Sequence, residues 1–290
     1  AWETTTMRHK TRICLSHSTM NFGHASKFAT RTARELTGEL YPGPVLMPRG
    51  LLRALDPLLA LFLGPATEGG ADFEAAIEEM LRGRPDGPLM LATWASVTSG
   101  EIPHKLVRSA TQLMRSAPPE SPATRGDLLA WLHPRASVMA RFALSLAERD
   151  NAATLAPAER LACGFALTRI LTDLPRALTA GRLLLPLEDL EKAGLTREEL
   201  MDGIYTPAVQ AFLAQECAWA RQLLEDGRPT CERVGDRMAR GLRAAILRAD
   251  RLLRGVEKPS RDVFRHPPRV GAYHRTRFAI RAWWPLHPLA

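Results

Sequence analysis

The sequence predicts an all-α protein with a single folded domain, and three observations carry that expectation. Apolar residues recur at three- and four-residue spacing through most of the chain, the period of one helix face. Alternation of β-branched residues over four or more positions is absent from the sequence, so the strand signal is close to nil. Hydrophobic residues make up 46% and charged residues 24% of the 290 positions, a globular balance with length enough for one large core.

The elements follow in order from about Phe22, separated by Pro and Gly. Pro42, Pro44 and Pro48 mark a loop, and Leu51–Leu63 then reads as a strongly apolar helix. Arg53, Asp56 and Pro57 interrupt that stretch, which excludes a membrane span there. Asp72–Arg82 places Phe73, Ile77, Met80 and Leu81 on one helical face. Gly83–Pro88 is a turn cluster, followed by helices over Leu89–Ser99 and His104–Ser116. After the loop Pro118–Pro122, Thr124 is placed to cap a helix carrying Leu128, Leu129 and Leu132. Ala136–Arg149 and Ala156–Asp173 are Ala- and Leu-rich helices, the second expected at the centre of the fold. Pro207–Gly227 aligns Val209, Phe212, Leu213, Ala220, Leu223 and Leu224 on one stripe. Cys231–Arg254 aligns Val234, Met238, Leu242, Ile246, Leu252 and Leu253 on another. No fixed period repeats, which excludes a solenoid and leaves a globule of roughly ten helices.

Charge divides the chain differently. The formal net charge is +8, and it is concentrated at the ends. Residues 1–34 hold six basic residues (Arg8, Lys10, Arg12, Lys27, Arg31, Arg34) and one acid, Glu3. Residues 259–290 hold Arg261, Arg265, Arg269, Arg275, Arg277 and Arg281 against Asp262 alone. The middle, 35–258, is nearly neutral. This pattern predicts a basic N-terminal extension (1–34), a helical domain (35–258) and a basic, aromatic C-terminal tail (259–290). Such ends seek phosphate, anionic lipid or an acidic protein surface. In the tail, Arg269, Arg275, Arg277 and Arg281 beside Trp283 and Trp284 are the expected partner-binding residues, because basic and aromatic groups together suit RNA bases, a membrane interface or a partner subunit. The head is rich in Thr, Ser and Arg and poor in acids, starts at Ala1 and has no apolar core segment. Organelle transit peptides share that bias, so a location in the mitochondrial matrix, or on the matrix side of the inner membrane, is expected. Cys14, Cys163, Cys217 and Cys231 form no CxxC pair and read as small buried or free thiols. No phosphate-binding loop, dinucleotide fingerprint, HExxH or GxSxG occurs, and the eight histidines are scattered, so neither a cofactor nor a metal is expected.

The most particular stretch is Leu161–Leu200. Gly164, Ala166, Leu167, Thr168, Ile170, Leu171 and Asp173 lie on one helix, followed by Gly181, Arg182, Leu185 and Pro186 and then Gly194, Glu198 and Glu199. This order resembles the squalene/phytoene synthase superfamily, and the run from Asp127 to Leu132 resembles the family's upstream helix. The resemblance implies an isoprenoid-synthase-like helical fold. It also implies two helices that each present two carboxylates four residues apart, holding Mg²⁺ against a diphosphate leaving group.

The departures change the expected function. Asp173 keeps the first position of the second carboxylate pair, but Ala177 stands at the other, and Pro175 between them is expected to end the helix. The apolar helix 51–63 offers only Asp56, flanked by Leu52 and Ala60 at the paired spacing. Glu35/Glu39 and Glu74/Glu78 have the spacing, but the first lies in an arginine-flanked, loop-prone head and the second on a polar, solvated face. Asp173, Ala177, Gly181 and Arg182 therefore read as the remnant of a degenerate motif, with no catalytic residues. The tail from Val256 to Pro267 and from Phe278 to Trp284 is similar to that of a non-enzymatic branch, the mitochondrial complex I assembly factor 6 family. That similarity implies an assembly factor or accessory subunit of a respiratory complex. A structural protein of the mitochondrial ribosome, holding rRNA through the basic ends, and an active isoprenoid synthase with migrated ligands are the alternatives.

Overall fold

The structure, a computed structural model, describes residues 22–41, 46–64, 70–258 and 262–284. Helix is the only regular secondary structure among them. In chain order these are α1 (Phe22–Thr37), a 3-10 turn at Gly38–Leu40, α2 (Arg49–Leu63), α3 (Gly70–Leu81), α4 (Gly87–Ser99), α5 (His104–Arg115), α6 (Arg125–Leu146), α7 (Ala152–Thr172), α8 (Leu174–Thr179), α9 (Leu187–Lys192), α10 (Arg197–Met201), α11 (Pro207–Gly227), α12 (Thr230–Arg233), α13 (Asp236–Glu257) and α14 (Ala272–Arg281). The described residues form a single all-α domain.

Helix α6 joins the parts of the core. Its first half places Leu128, Leu132 and Ala136 in a cluster with α7, α11 and α13. Its second half places Val138 and Phe142 against Phe62, Phe73, Ile77 and Val107, with the Phe62 and Phe142 rings stacked at 5.4 Å. Ala140 and Leu144 face a third cluster with Leu52, Ala158 and Met238. Thr124 caps this helix as expected: its hydroxyl accepts from the Asp127 N–H, and the Asp127 carboxylate accepts from the Thr124 N–H. The helix nevertheless runs unbroken through Pro134, where the sequence pointed to a division before Ala136. A proline inside a helix costs about 3 kcal/mol. Burying seven side chains across three clusters outweighs that cost.

Helices α7 and α11 cross at close range because glycines permit it. A Cβ on Gly164 would lie 2.8–2.9 Å from Leu224 atoms, and one on Gly227 would lie 2.3 Å from the Leu161 backbone nitrogen. Helix α1 spans the boundary drawn from charge at residue 34. Its basic residues face outward while Ala25, Ala29 and Ala33 are buried against α2 and α4, so residues 22–34 are packed into the helical body. The segment expected as one helix from Cys231 is two, because Val234 and Gly235 have extended backbone between α12 and α13.

Candidate functional site

The region of the second carboxylate motif is a turn on the surface. Helix α7 stops at Thr172, and α8 starts at Leu174 with Pro175 in its first turn, where the missing N–H costs no hydrogen bond. Asp173 is the cap shared by both helices; its side chain is 53% exposed and accepts from Arg169 Nε at 3.2 Å. Ala177 donates its N–H to the Asp173 carbonyl at 3.0 Å and accepts from the Arg182 N–H at 2.9 Å. Gly181 has a φ of 72°, the left-handed conformation that ends α8, and Arg182 is exposed beside it. Asp173, Ala177, Gly181 and Arg182 are thus brought together as one backbone turn. Leu183, Leu185 and Pro186 follow into the core. Packing and turn geometry account for the glycine and the leucines of this segment.

The other candidate acid faces inward. Asp56 is 1% exposed on α2, and both carboxylate oxygens are taken. Thr30 Oγ1 donates to Oδ2 at 2.7 Å, and the Tyr41 hydroxyl lies 2.9 and 3.0 Å from the two oxygens. Burial holds the Asp56 carboxyl above the usual range, while the bonds from Thr30 and Tyr41 pull against it. Burial and the neighbouring Asp56 push the Tyr41 phenol up to about 12. The acids of the two pairs named above are engaged in ion pairs: Glu35 with Arg31, Glu39 with Arg275, Glu74 with Arg115, and Glu78 with Arg108. Glu35 stands on α1 rather than in a loop.

These residues do not fit a Mg²⁺–diphosphate cluster. Asp173 points to solvent and an arginine, position 177 offers a methyl group, and Asp56 is buried with both oxygens bonded to hydroxyls. Among the described residues no three His, Cys, Asp or Glu side chains converge as a metal site.

One buried polar constellation lay outside the sequence reading. Arg125, at the start of α6, donates to Asp189 on α9 at 2.6 Å and to Glu216 on α11 at 2.9 Å. Lys192 adds a bond to Asp189 at 3.1 Å, and the Arg125 guanidinium stacks 4.7 Å from the Trp219 ring. Asp189 and Glu216 are 1% and 0% exposed. Burial, against the pull of Arg125, pushes the Glu216 carboxyl up to about 7. The available signal was position: Glu216 interrupts the apolar stripe of α11 between Leu213 and Ala220. The network ties the starts of α6 and α9 to α11.

The tail residues are spread over two sides of α14. Arg275 turns back, with Nε to the Val270 carbonyl at 2.9 Å and the guanidinium on Glu39 at 2.7 Å. Trp283 lies over Arg240 at 4.1 Å. Arg269, Arg277 and Trp284 are exposed, and Arg281 is half-buried. Arg8, Lys10, Arg12, Cys14 and Arg261 lie outside the described residues. The other three cysteines are buried thiols, pushed up by burial.

Residues 64–274 match the model of the squalene/phytoene synthase family. The chain therefore belongs to that family. Solved structures with a similar fold include a squalene synthase, HpnC, from Alicyclobacillus acidocaldarius, with 17% identity, a TM-score of 0.67 and coverage of 91% of this chain and 97% of the other. A dehydrosqualene synthase solved with a ligand gives 16% identity, a TM-score of 0.75 and coverage of 90% and 96%. YisP from Bacillus subtilis gives 13%, 0.70, and 89% and 96%. At these identities the likeness is one of fold. No curated protein matches the chain.

Proposed function

We propose that this chain is a non-catalytic member of the squalene/phytoene synthase family that works by binding, as an assembly factor or accessory subunit of a mitochondrial respiratory complex. The placement of the acids carries the first half of this reading. Asp173 is an exposed turn residue paired with Arg169, Ala177 stands where its partner carboxylate would, and Asp56 is locked to Thr30 and Tyr41. Neutralising a departing diphosphate is the largest electrostatic task of this chemistry, and no pair of carboxylates remains on these two helices to hold the metal ions for it.

The second half rests on the tail's similarity to the assembly-factor branch and on the transit-peptide bias of the head. The surplus of arginine at both ends favours a second reading, a recruited structural protein of the mitochondrial ribosome. Sedimentation of the tagged full-length chain from mitochondria in mild detergent separates the two. Co-migration with respiratory-complex intermediates is expected. Co-migration with ribosomal subunits, together with RNA binding that falls steeply with salt, would replace the first reading with the second.

A further inference from the structure

We infer that the outer face of α14 and the residues just after it form a docking face for an anionic lipid bilayer. Among the described residues, the helix is held to the body along the side of Ala279 and Ala282. Ala279 and Ala282 pack on Leu46 and Ala244 of the body, and Arg243 donates to the Ala282 carbonyl at 3.4 Å. Arg275 anchors the same side on Glu39. The other side carries Tyr273, Arg277 and Ile280 at helical spacing, and Trp284, three residues past the helix end, lies beside them. They border a shallow hollow of about 400 Å³. Tyr273 is 72%, Ile280 59%, Trp283 61% and Trp284 57% exposed. Half of the large apolar side chains that stand exposed among the described residues therefore fall within twelve positions.

The chemistry of the face selects its occupant. Residues 263–290 contain no Asp or Glu, and Glu39 is paired with Arg275 on the anchored side, so the outward arginines of the helix complement an anionic surface. An acidic protein surface would satisfy the arginines but would also need an apolar pocket shaped to Ile280 and both indoles, whereas a bilayer needs none. RNA would use the rings as stacking platforms, yet one face of Trp283 is already covered by Arg240, and Ile280 offers nothing to a base. A bilayer interface stabilises all of these groups at one depth: indole and phenol at the headgroups, isoleucine at the acyl boundary, guanidinium on phosphate. No described helix is long and apolar enough to cross a membrane, so the contact is peripheral. The assignment does not depend on whether the chain turns over a prenyl diphosphate or on which protein complex it joins.

The test uses the full-length chain with vesicles of phosphatidylcholine alone or mixed with phosphatidylglycerol, read by co-sedimentation and tryptophan emission. Binding to the mixed vesicles, weaker on neutral ones and weaker as salt rises, is expected. Arg277→Gln and Arg281→Gln should each lower partitioning about fivefold and reduce the salt dependence. Ile280→Ser with Trp284→Ser should lower it about tenfold or more at every salt concentration. Ile204→Ser, a residue 60% exposed in the turn between α10 and α11, should leave binding unchanged. Circular dichroism checks the fold of each variant, and the arginine variants carry the test if the apolar pair unfolds. Three results would overturn the assignment: no binding of the parent to mixed vesicles at low salt, equal losses from Ile204→Ser and the α14 variants, or binding to single-stranded RNA but not vesicles that Arg277→Gln and Arg281→Gln abolish.

Discussion

At the scale of single residues, the acids divide by what surrounds them. Asp173 is half exposed beside Arg169, so Asp173→Asn should change stability by less than about 0.5 kcal/mol in urea titration. Asp56→Ala leaves the Tyr41 and Thr30 hydroxyls without their buried acceptor and should cost about 2–3 kcal/mol in the same measurement. Glu216 gives a pH signature. Its folded pKa, pushed up to about 7, lies above the unfolded value, so the stability it contributes is complete below about pH 4 and is lost as pH rises through 7. The urea midpoint of the parent should fall between about pH 5 and pH 8, and Glu216→Gln should flatten that fall. A slope unchanged in the variant would place the titration elsewhere. Ala177 and Pro175 beside Asp173 were readable directly, because they are identities. The hydroxyl partners of Asp56 were not, since Thr30 and Tyr41 reach it from 26 and 15 positions away.

At the scale of elements, close helix crossing makes a sharper test than composition does. Gly227→Ala puts a methyl group against the Leu161 backbone, which cannot move aside as a side chain can, and should destabilise by about 2–3 kcal/mol or more. Gly50→Ala, in the first turn of α2 with open space around it, should be neutral or slightly stabilising. Equal effects from the two would mean that α7 and α11 do not pack as described. Long helices with clean apolar stripes were legible, α11 to its ends, because the stripe persists over several turns. The short helices α8, α9 and α10 have too few turns to show a period, and they hold their places through buried leucines such as Leu178, Leu190 and Leu200. Pro134 misled because its local cost is visible in the sequence, whereas the three clusters that offset it are assembled from distant segments. Helix α14 was hidden by its arginines, which break up the run of apolar residues although Tyr273, Arg277 and Ile280 fall on one face.

At the scale of the whole molecule, the family's fold persists without paired carboxylates at Asp56 or Asp173. The helix order, the crossing of α7 on α11 and the turn at Gly181 are all packing features, so none of them depends on catalysis. The fold class was legible because helix periodicity repeats everywhere. The partition by charge was less so, because α1 is basic on its surface and apolar within. The central claim is the loss of turnover, and the most direct measurement supplies the purified chain with Mg²⁺ and farnesyl or geranylgeranyl diphosphate and quantifies condensed product. No product above the uncatalysed background is expected. A turnover number within two or three orders of magnitude of about 1 per second, an ordinary enzyme rate, would contradict it.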